Sequence, residues 1–448
     1  MRSIFCAAFI AKVEEKKRAS RSITLLRSMC LIFINSSGFA NDVATSKSPI
    51  VNIKYIHDLI EQEWAVKIPY NPELKNPLVA ANMKYLLTAV DSANSYLGTK
   101  SQYGESEYAT NRAASVNVSV DAVRNLVVLS RHYFTVTTTS DTADFNFRIT
   151  AAGKFFVDWG DGQIENVTKY DTDTAKTIAH TYAAPGVYEI RIGGVATAYA
   201  APNGSNNSIS FESNKNLAGV SGSIGQVFPN IGTDMPVFYR LFHQCSNFQG
   251  SIPKELFVGI NGAPVKGMFQ DVFNHCINLT GEIPPDLFAG IRGAPAESMF
   301  RSTFANCLNL RGTIPGTLFS GIVGAPAPYM FRYTFASSGK FTKIGTGLFS
   351  GISGAPAADM YLGTFYNNYS LKGEIPVGLF GNISGPMASH MFDTTFYRCR
   401  NLTGPSARNP DGVPLYQQFP NATAAQVSLM YSGAEKLSDY ADIPEAWR

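Results

Sequence analysis

The chain has 448 residues, of which 45% are hydrophobic and 16% are charged, so its composition is that of globular protein rather than of a disordered chain. The formal net charge is +3, but residues 1–40 carry seven Lys and Arg against two Glu, which leaves 30 basic and 32 acidic residues in the remainder. This near balance argues against a nucleic-acid partner. An integral membrane span is not expected either, because no stretch approaches the roughly 18 uncharged apolar residues that a spanning helix requires.

The first 40 residues have the order of a secretory signal peptide. A basic stretch at 16–21 precedes an apolar run at 28–34 and a series of small residues that ends at Ala40. We therefore expect residues 1–40 to be a leader, and the mature protein to be secreted or held at the cell surface. An amphipathic N-terminal helix is the alternative interpretation.

Residues 41–112 are predicted to form a helical hairpin region followed by a linker. Apolar residues recur between positions 50 and 98 at the spacing that places them on one face of each of two helices. Asn76 is suited to cap the second helix, Pro77 to occupy its first turn and Gly98 to follow its last residue. The polar stretch at 99–112 is typical of a linker.

Residues 113–205 are predicted to form a small antiparallel β domain. Apolar and polar residues alternate at 145–149, 155–159 and 188–192, which is the period of a half-buried strand. The sequence Trp-Gly-Asp-Gly at 159–162 and the pattern H-x-Y-x-x-x-G-x-Y at 180–188 resemble those of the polycystic-kidney-disease-like (PKD-like) domain of immunoglobulin type. The resemblance implies a β-sandwich that acts as a spacer or an interaction module in a secreted or surface protein.

Residues 206–448 contain a repeat with a period of about 31 residues, followed by a C-terminal cap. The repeat is marked by Leu-Phe pairs at 256–257, 287–288, 318–319, 348–349 and 379–380. Each pair opens a unit of the form L-F-x-G-I-x-G-A-P-x-x-x-M-F-x-x-T-F-x-x-C-x-N-L-x-G-x-I-P. A single unit of this length cannot bury its apolar residues alone, so we expect neighbouring units to stack and share one core.

Within one unit the spacing predicts a helix and then a short strand. The helix is expected to begin at Ala294-Pro295, because proline is tolerated in the first turn. Its buried face comprises Met299, Phe300, Thr303, Phe304 and Cys307. The following segment, 309–315, alternates in the manner of a strand that ends at a proline.

The M-F-x-x-C-x-x-L core of these units resembles the leucine-rich repeats of bacterial surface antigens of the BspA-like type. The segment N-L-x-G-x-I-P-x-x-L-F is also similar to part of the plant extracellular leucine-rich repeat. The two resemblances imply an exported bacterial surface protein. The expected fold class is multidomain α+β, with a helical N-terminal region, an immunoglobulin or PKD-like β-sandwich and a C-terminal α/β solenoid like that of leucine-rich-repeat proteins.

The sequence provides no pattern that points to catalysis, a cofactor or a metal. It lacks H-E-x-x-H, C-x-x-C, G-x-S-x-G and P-loop sequences. The cysteines of the repeat occupy one equivalent position per unit, where Ser338 and Asn368 replace them, so packing or a hydrogen bond is a better explanation than a metal site. A structural glycine turn is likewise preferred to a calcium site at Asp158 and Asp161.

Candidate ligand-binding residues come from the variable positions after each Met-Phe pair and after the next Phe. Stacking would align these positions into two stripes on one surface. Tyr and Arg are the residues most often responsible for binding energy. The candidates are Tyr239, Arg240, Arg301, Arg332, Tyr333, Tyr366, Tyr397 and Arg398. The alternative is an ordinary solvated surface.

The function expected from these patterns is that of a non-enzymatic, exported surface protein that mediates adhesion or recognises an extracellular protein or glycan. We predict no nucleic-acid partner, no cofactor, no metal ion and no membrane span. The same architecture would also allow the protein to self-associate. One alternative is a self-assembling structural component of the cell envelope. A second is a secreted hydrolase with accessory binding modules.

Overall fold

The structure is a computed structural model that describes residues 133–203 and 206–448. The predicted leader at 1–40 and the predicted helical region at 41–112 lie outside the described residues. The strands at the start of the described chain are β1 Tyr133–Thr138, β2 Thr142–Ile149, β3 Ala152–Asp158, β4 Ile164–Lys169, β5 Lys176–Gly186, β6 Glu189–Ala198, β7 Ile209–Ser210 and β8 Leu217–Gly222.

These eight strands form two sheets. One has five strands in the order β4-β3-β6-β1-β8, and the other has three in the order β5-β2-β7. The side chains of β2 alternate between buried and exposed, as expected for a strand with one face in the core. The rings of Phe147 in β2 and Trp159 after β3 lie 6.2 Å apart, so side chains from the two sheets meet in a common core.

The segment around β7 joins the sheets to the repeats. Residues Ile209 and Ser210 pair with β2, opposite Ile149 and Arg148. On its other side the segment is bonded to the first repeat, since the N–H of Phe211 donates to the carbonyl of Leu241 over 2.7 Å. The core is therefore continuous from the sheets into the repeats.

Each repeat contains a chain of tight turns. Between residues 298 and 307, the N–H groups of alternate residues donate to the carbonyl groups of the next repeat, from Ser298 to Pro328 through Asn306 to Ala336. The intervening N–H groups each donate to the carbonyl three residues earlier, as Met299 does to Ala296. All main-chain donors of this segment are thus satisfied, half within the repeat and half by its neighbour.

A positive φ at every fourth residue makes these turns possible. In the same repeat the φ angles of Ser298, Ser302 and Asn306 are 58°, 53° and 58°, which is left-handed backbone. An α-helix cannot contain such residues. The described repeats accordingly have turns where the sequence predicted helices.

Aromatic side chains of equivalent positions stack on one another inside the repeats. The rings of Phe273, Phe304 and Phe335 are parallel to within 10°, with centroids 5.6 and 5.7 Å apart. Two further columns run beside this one, through Phe300 and through Phe319. Phe304 and Ile314 are fully buried, so the stacked units share one interior.

Short strands within the repeats pair in parallel, and the cap follows them. The strands are β9 Arg311–Ile314, β10 Lys340–Ile344, β11 Ser353–Gly354, β12 Lys372–Gly373, β13 Asn382–Ile383 and β14 Asn401–Leu402. The cap holds the α-helices α1 Leu415–Gln418 and α2 Ala424–Val427. Three 3-10 turns lie at Ile224–Gln226, Tyr440–Asp442 and Glu445–Trp447.

The predicted fold class is wrong. The described residues are predominantly sheet and turn, with two helices of four residues each, and they do not form the predicted α/β solenoid of leucine-rich-repeat type. The error has a physical reason. A chain of turns with a period of four residues buries Met299, Phe300, Thr303, Phe304 and Cys307 just as a helix with a period of 3.6 residues would, and the two periods are indistinguishable over nine residues.

Candidate functional site

The four-residue turns determine where the variable side chains lie. The N–H of Tyr333 donates to the carbonyl of Leu362, and that of Ser337 donates to Tyr366. The N–H of Asn367 in turn donates to Tyr397. Equivalent positions of successive repeats are therefore adjacent, and the predicted ligand-binding residues fall into three groups along the repeats.

The first group is at the start of the repeats and is held by ion pairs. Nη1 of Arg240 lies 3.0 Å from Oε1 of Glu212, and its guanidinium covers the ring of Tyr239 at 5.0 Å. Glu212 is shared with Arg148 of β2, at 2.9 Å. Burial raises the pKa of Tyr239. Arg240 thus serves to attach the first repeat to the preceding sheet.

The second group is Arg301 alone. It is half-buried, and within the described residues no carboxylate oxygen lies within 4.0 Å of its guanidinium. The candidates at the equivalent repeat position, Arg332 and Tyr239, are one and two repeats away along the sequence. Among the described residues, no aromatic ring lies under the guanidinium of Arg301, so the structure does not join it to a larger aromatic cluster.

The third group is a continuous aromatic surface. The ring centroids of Tyr333 and Tyr366 are 6.3 Å apart with the rings at 85°, and those of Tyr366 and Tyr397 are 5.1 Å apart with the rings nearly parallel. Arg398 covers Tyr397 at 5.0 Å, and Arg332 covers Tyr333 at 5.4 Å. Five of the eight predicted residues are therefore brought together.

Two residues that the sequence reasoning missed complete this surface. Tyr369 is 44% exposed, and the guanidinium of Arg400 lies over its ring at 5.7 Å. A hydrogen bond with Tyr369 raises the pKa of Arg398. We call Tyr333, Tyr366, Tyr369, Tyr397, Arg398 and Arg400 the tyrosine–arginine cluster. Tyr369 and Arg400 occupy the repeat position between the Cys and the Asn. The side chains at this position in earlier repeats, Ile277 and Leu308, are exposed, so the position faces solvent.

Carboxylates border the cluster and orient its edge. Oδ1 of Asp359 lies 3.1 Å from Nη1 of Arg332, which fixes this arginine against the surface. Oδ2 of Asp393 lies 2.5 Å from Nδ1 of His390, and the pKa of His390 is raised by this hydrogen bond and by the charge of Asp393. Arg398 and Arg400 have no carboxylate within 4.0 Å among the described residues, so their charges remain available to a ligand.

The cluster offers two kinds of contact. Tyrosine rings provide flat apolar faces with a polar edge, and they lose little side-chain entropy on binding. Guanidinium groups donate paired hydrogen bonds to carboxylate, sulfate or phosphate groups. The combination is suited to recognising a surface that presents both apolar faces and oxygen acceptors.

The repeat cysteines have a structural role. Sγ of Cys276 donates to the carbonyl of Phe242 and Sγ of Cys307 to that of Phe273, both over 3.0 Å. Ser338 and Asn368 make the equivalent bond to the preceding repeat. Burial raises the pKa of Cys245 to about 12, so this thiol is kept protonated. Among the described residues no group of three His, Cys, Asp or Glu side chains could hold a metal ion.

The Trp-Gly-Asp-Gly turn uses its carboxylates inside the protein. Oδ1 of Asp158 accepts the N–H of Gly160 over 3.0 Å. Oδ2 of Asp161 lies 2.8 Å from Nε2 of His180, whose ring stacks on Trp159 at 4.9 Å. The two carboxylates therefore interact with different partners.

The comparisons with known proteins leave the family open. No family model and no curated protein matches the chain. A solved structure of alpha-toxin from an avian strain of Clostridium perfringens is similar over 44% of this chain and 65% of its own, with 13% identity and a TM-score of 0.14, which carries no argument. No helix in the described part of the chain is long and apolar enough to span a membrane. The similarities to BspA-like and PKD-like proteins remain resemblances in sequence.

Proposed function

We propose that this protein is exported and that its tyrosine–arginine cluster recognises an extracellular protein or glycan, without a reaction of its own. The single observation that supports this function is the contiguous surface formed by four tyrosines and two arginines from successive repeats. Tyr and Arg are enriched among the residues that dominate binding energy. Arg398 and Arg400 are not neutralised by a neighbouring carboxylate in the described chain.

Rigid placement strengthens the proposal. Tyr366 and Tyr397 are attached to turns whose N–H and carbonyl groups are bonded between repeats, as in the bond from Asn367 to Tyr397 over 2.9 Å. Each ring is also supported by the next one along the surface. A ligand would therefore find these rings already ordered, which reduces the entropic cost of binding.

The test is a binding screen of the full chain against extracellular-matrix proteins and a panel of glycans. The variant carries Tyr366→Ala and Tyr397→Ala, and its control carries Tyr170→Ala, because Tyr170 is 90% exposed and directly follows β4 of the sheets. We expect the double variant to lose about tenfold or more in affinity and the control to stay within about twofold.

Equal binding by the parent and the double variant would disprove the role of the cluster. A second variant with Tyr366→Phe and Tyr397→Phe retains the rings and guards against loss through misfolding. Concentration-dependent assembly of the parent in sizing experiments, abolished by the double variant, would instead support the alternative of a self-assembling envelope component. Turnover of a panel glycan would support the alternative of a secreted hydrolase.

A further inference from the structure

A shallow groove, which we call the strand-side groove, lies along strands β9, β10, β12 and β14 of the repeats. Strands β9 and β10 pair in parallel, with Arg311 opposite Lys340, and β12 pairs in parallel with β14, with Lys372 opposite Asn401. The groove has a volume of about 570 Å³ and is open to solvent. Its lining residues are Thr313, Thr342, Lys343, Lys372, Gly373, Asn401 and Thr403.

The charges in and beside this groove are predominantly positive. Lys343 and Lys372 line it, and no lining residue is acidic. Within the described residues, neither ammonium group has a carboxylate oxygen within 4.0 Å. Two carboxylates lie nearby: Glu374 is two residues after Lys372, and Glu282 packs against Gly312 of β9. Neither forms a salt bridge with Lys343 or Lys372, so the groove carries positive charge without an ion-pair partner.

The parallel pairing makes this arrangement costly for the isolated protein. Arg311 and Lys340 are directly opposite each other on neighbouring strands, which lie about 4.8 Å apart in a sheet. Like charges placed opposite each other destabilise a strand pair. An anionic occupant would relieve the repulsion, because it would interact with several of these groups at once.

The remaining lining groups favour a polyhydroxylated anion. Thr313, Thr342 and Thr403 supply hydroxyl groups, whereas the amide of Asn401 is already bonded to the carbonyl of Tyr369 and to Nζ of Lys436. A register shift between Phe341 and Lys343 places Thr342 as an extra residue at the groove. No lining residue is aromatic, whereas sites for single-stranded nucleic acid normally stack bases on aromatic rings.

The groove crosses several repeats, which favours a polymer as its ligand. Its lining residues come from strands of four successive units, β9, β10, β12 and β14, so cationic and hydroxyl groups recur along the stacking direction. A chain of sugars with regularly spaced acidic groups matches such a recurrence better than a single small anion does. We infer that the strand-side groove binds an acidic polysaccharide, sulfated or carboxylated, in addition to any ligand of the tyrosine–arginine cluster.

The experiment measures binding of the full chain to heparin, to alginate and to neutral dextran as a function of salt concentration. The groove variant carries Lys343→Gln and Lys372→Gln. The matched control carries Lys154→Gln and Lys176→Gln, which removes the same charge from exposed positions in the sheets. We expect heparin or alginate to bind and dextran not to bind, with a loss of about tenfold for the groove variant and less than twofold for the control. Affinity should fall as salt rises.

Three results would overturn the inference. The first is failure of both acidic polysaccharides to bind at low salt. The second is an equal loss in the control, which would indicate attraction to net charge rather than to the groove. The third is tighter binding of single-stranded DNA or polyphosphate than of either polysaccharide. The double substitution Tyr366→Ala and Tyr397→Ala leaves the groove intact. Its effect on binding therefore tests the tyrosine–arginine cluster independently of the groove.

Discussion

The sheets formed by β1 to β8 and the repeats that follow them satisfy the hydrogen bonds of their main chains in different ways. In the sheets, neighbouring strands exchange bonds over long antiparallel pairs, such as the seven positions that β2 shares with β5. In the repeats, alternate residues bond to the next unit and the others close turns within their own unit. The second arrangement requires a left-handed residue at every fourth position, where the sequence places Gly and also Ser, Asn, Asp, Gln, His, Thr, Tyr and Arg.

Packing differs in the same way. In the sheets, side chains from unrelated positions pack together, as when Phe147 contacts both Trp159 and Phe211. In the repeats, each buried ring lies against the ring of the equivalent residue. A side chain in the repeats must therefore fit copies of itself. This requirement explains why buried positions recur so strictly while exposed ones vary and can acquire a binding role.

The largest effect should come from interrupting a ring column. Phe304→Ala removes the partner of both Phe273 and Phe335, and we expect a loss of about 3–5 kcal/mol in the free energy of unfolding. Urea denaturation measures it. Phe145→Ala in the sheets is the matched control, since Phe145 is equally buried. In Phe304→Ala the repeats should also unfold in two separate transitions, whereas in Phe145→Ala they should not. A loss below about 1 kcal/mol at Phe304 would contradict the account.

A smaller effect is expected at the cysteine positions. Cys307→Ser keeps a donor for the carbonyl of Phe273, as Ser338 does for Phe304 in the next repeat. Cys307→Val leaves that buried carbonyl with the N–H of Cys276 as its remaining donor. We expect Cys307→Val to be less stable than Cys307→Ser by about 0.5–1.5 kcal/mol in thermal or urea unfolding. The opposite order would show that packing, not hydrogen bonding, fixes this position.

The smallest effect concerns pH at the edge of the cluster. The pKa of His390 is raised above 6.5 by the hydrogen bond with Asp393 and the charges of Asp393 and Asp359, with Arg332 acting in the opposite direction. A raised pKa means that the pair stabilises the fold fully below about pH 6.5 and loses this contribution as the pH rises through the raised value. NMR titration should show the pKa of His390 moving back toward 6.5 in Asp393→Asn. An unchanged pKa would remove Asp393 as the cause.

The sequence predicts part of this fold correctly at the level of single residues. Alternation places strands at β2 and β3, and periodicity identifies Phe304 and Ile314 as buried. It fails on the backbone of the repeats, because side-chain spacing reports which residues are buried and not the sign of φ. Residue type does not reveal the turns either, because the positions equivalent to Ser302 include Arg240, Tyr333 and Thr394.

The site was predictable to the same degree. Stacking of equivalent positions follows from the period alone, so Tyr333, Tyr366, Tyr397 and Arg398 could be placed on one surface. Tyr369 and Arg400 were missed because their repeat position carries apolar residues in earlier units. The spacing of 30 residues between Leu318 and Leu348 marks an irregular unit, but it does not say that the register of β10 shifts or which side chains then line the groove.

The most direct test of the account compares glycine and alanine at one left-handed position. Ser302 has a φ of 53°, so Ser302→Gly should be more stable than Ser302→Ala by about 1 kcal/mol in urea unfolding of the full chain. If residues 295–307 were helical, the order would be reversed by a similar amount, since alanine is the better helix former. Greater stability of Ser302→Ala would therefore contradict the turn-based stacking from which the cluster and the groove both follow.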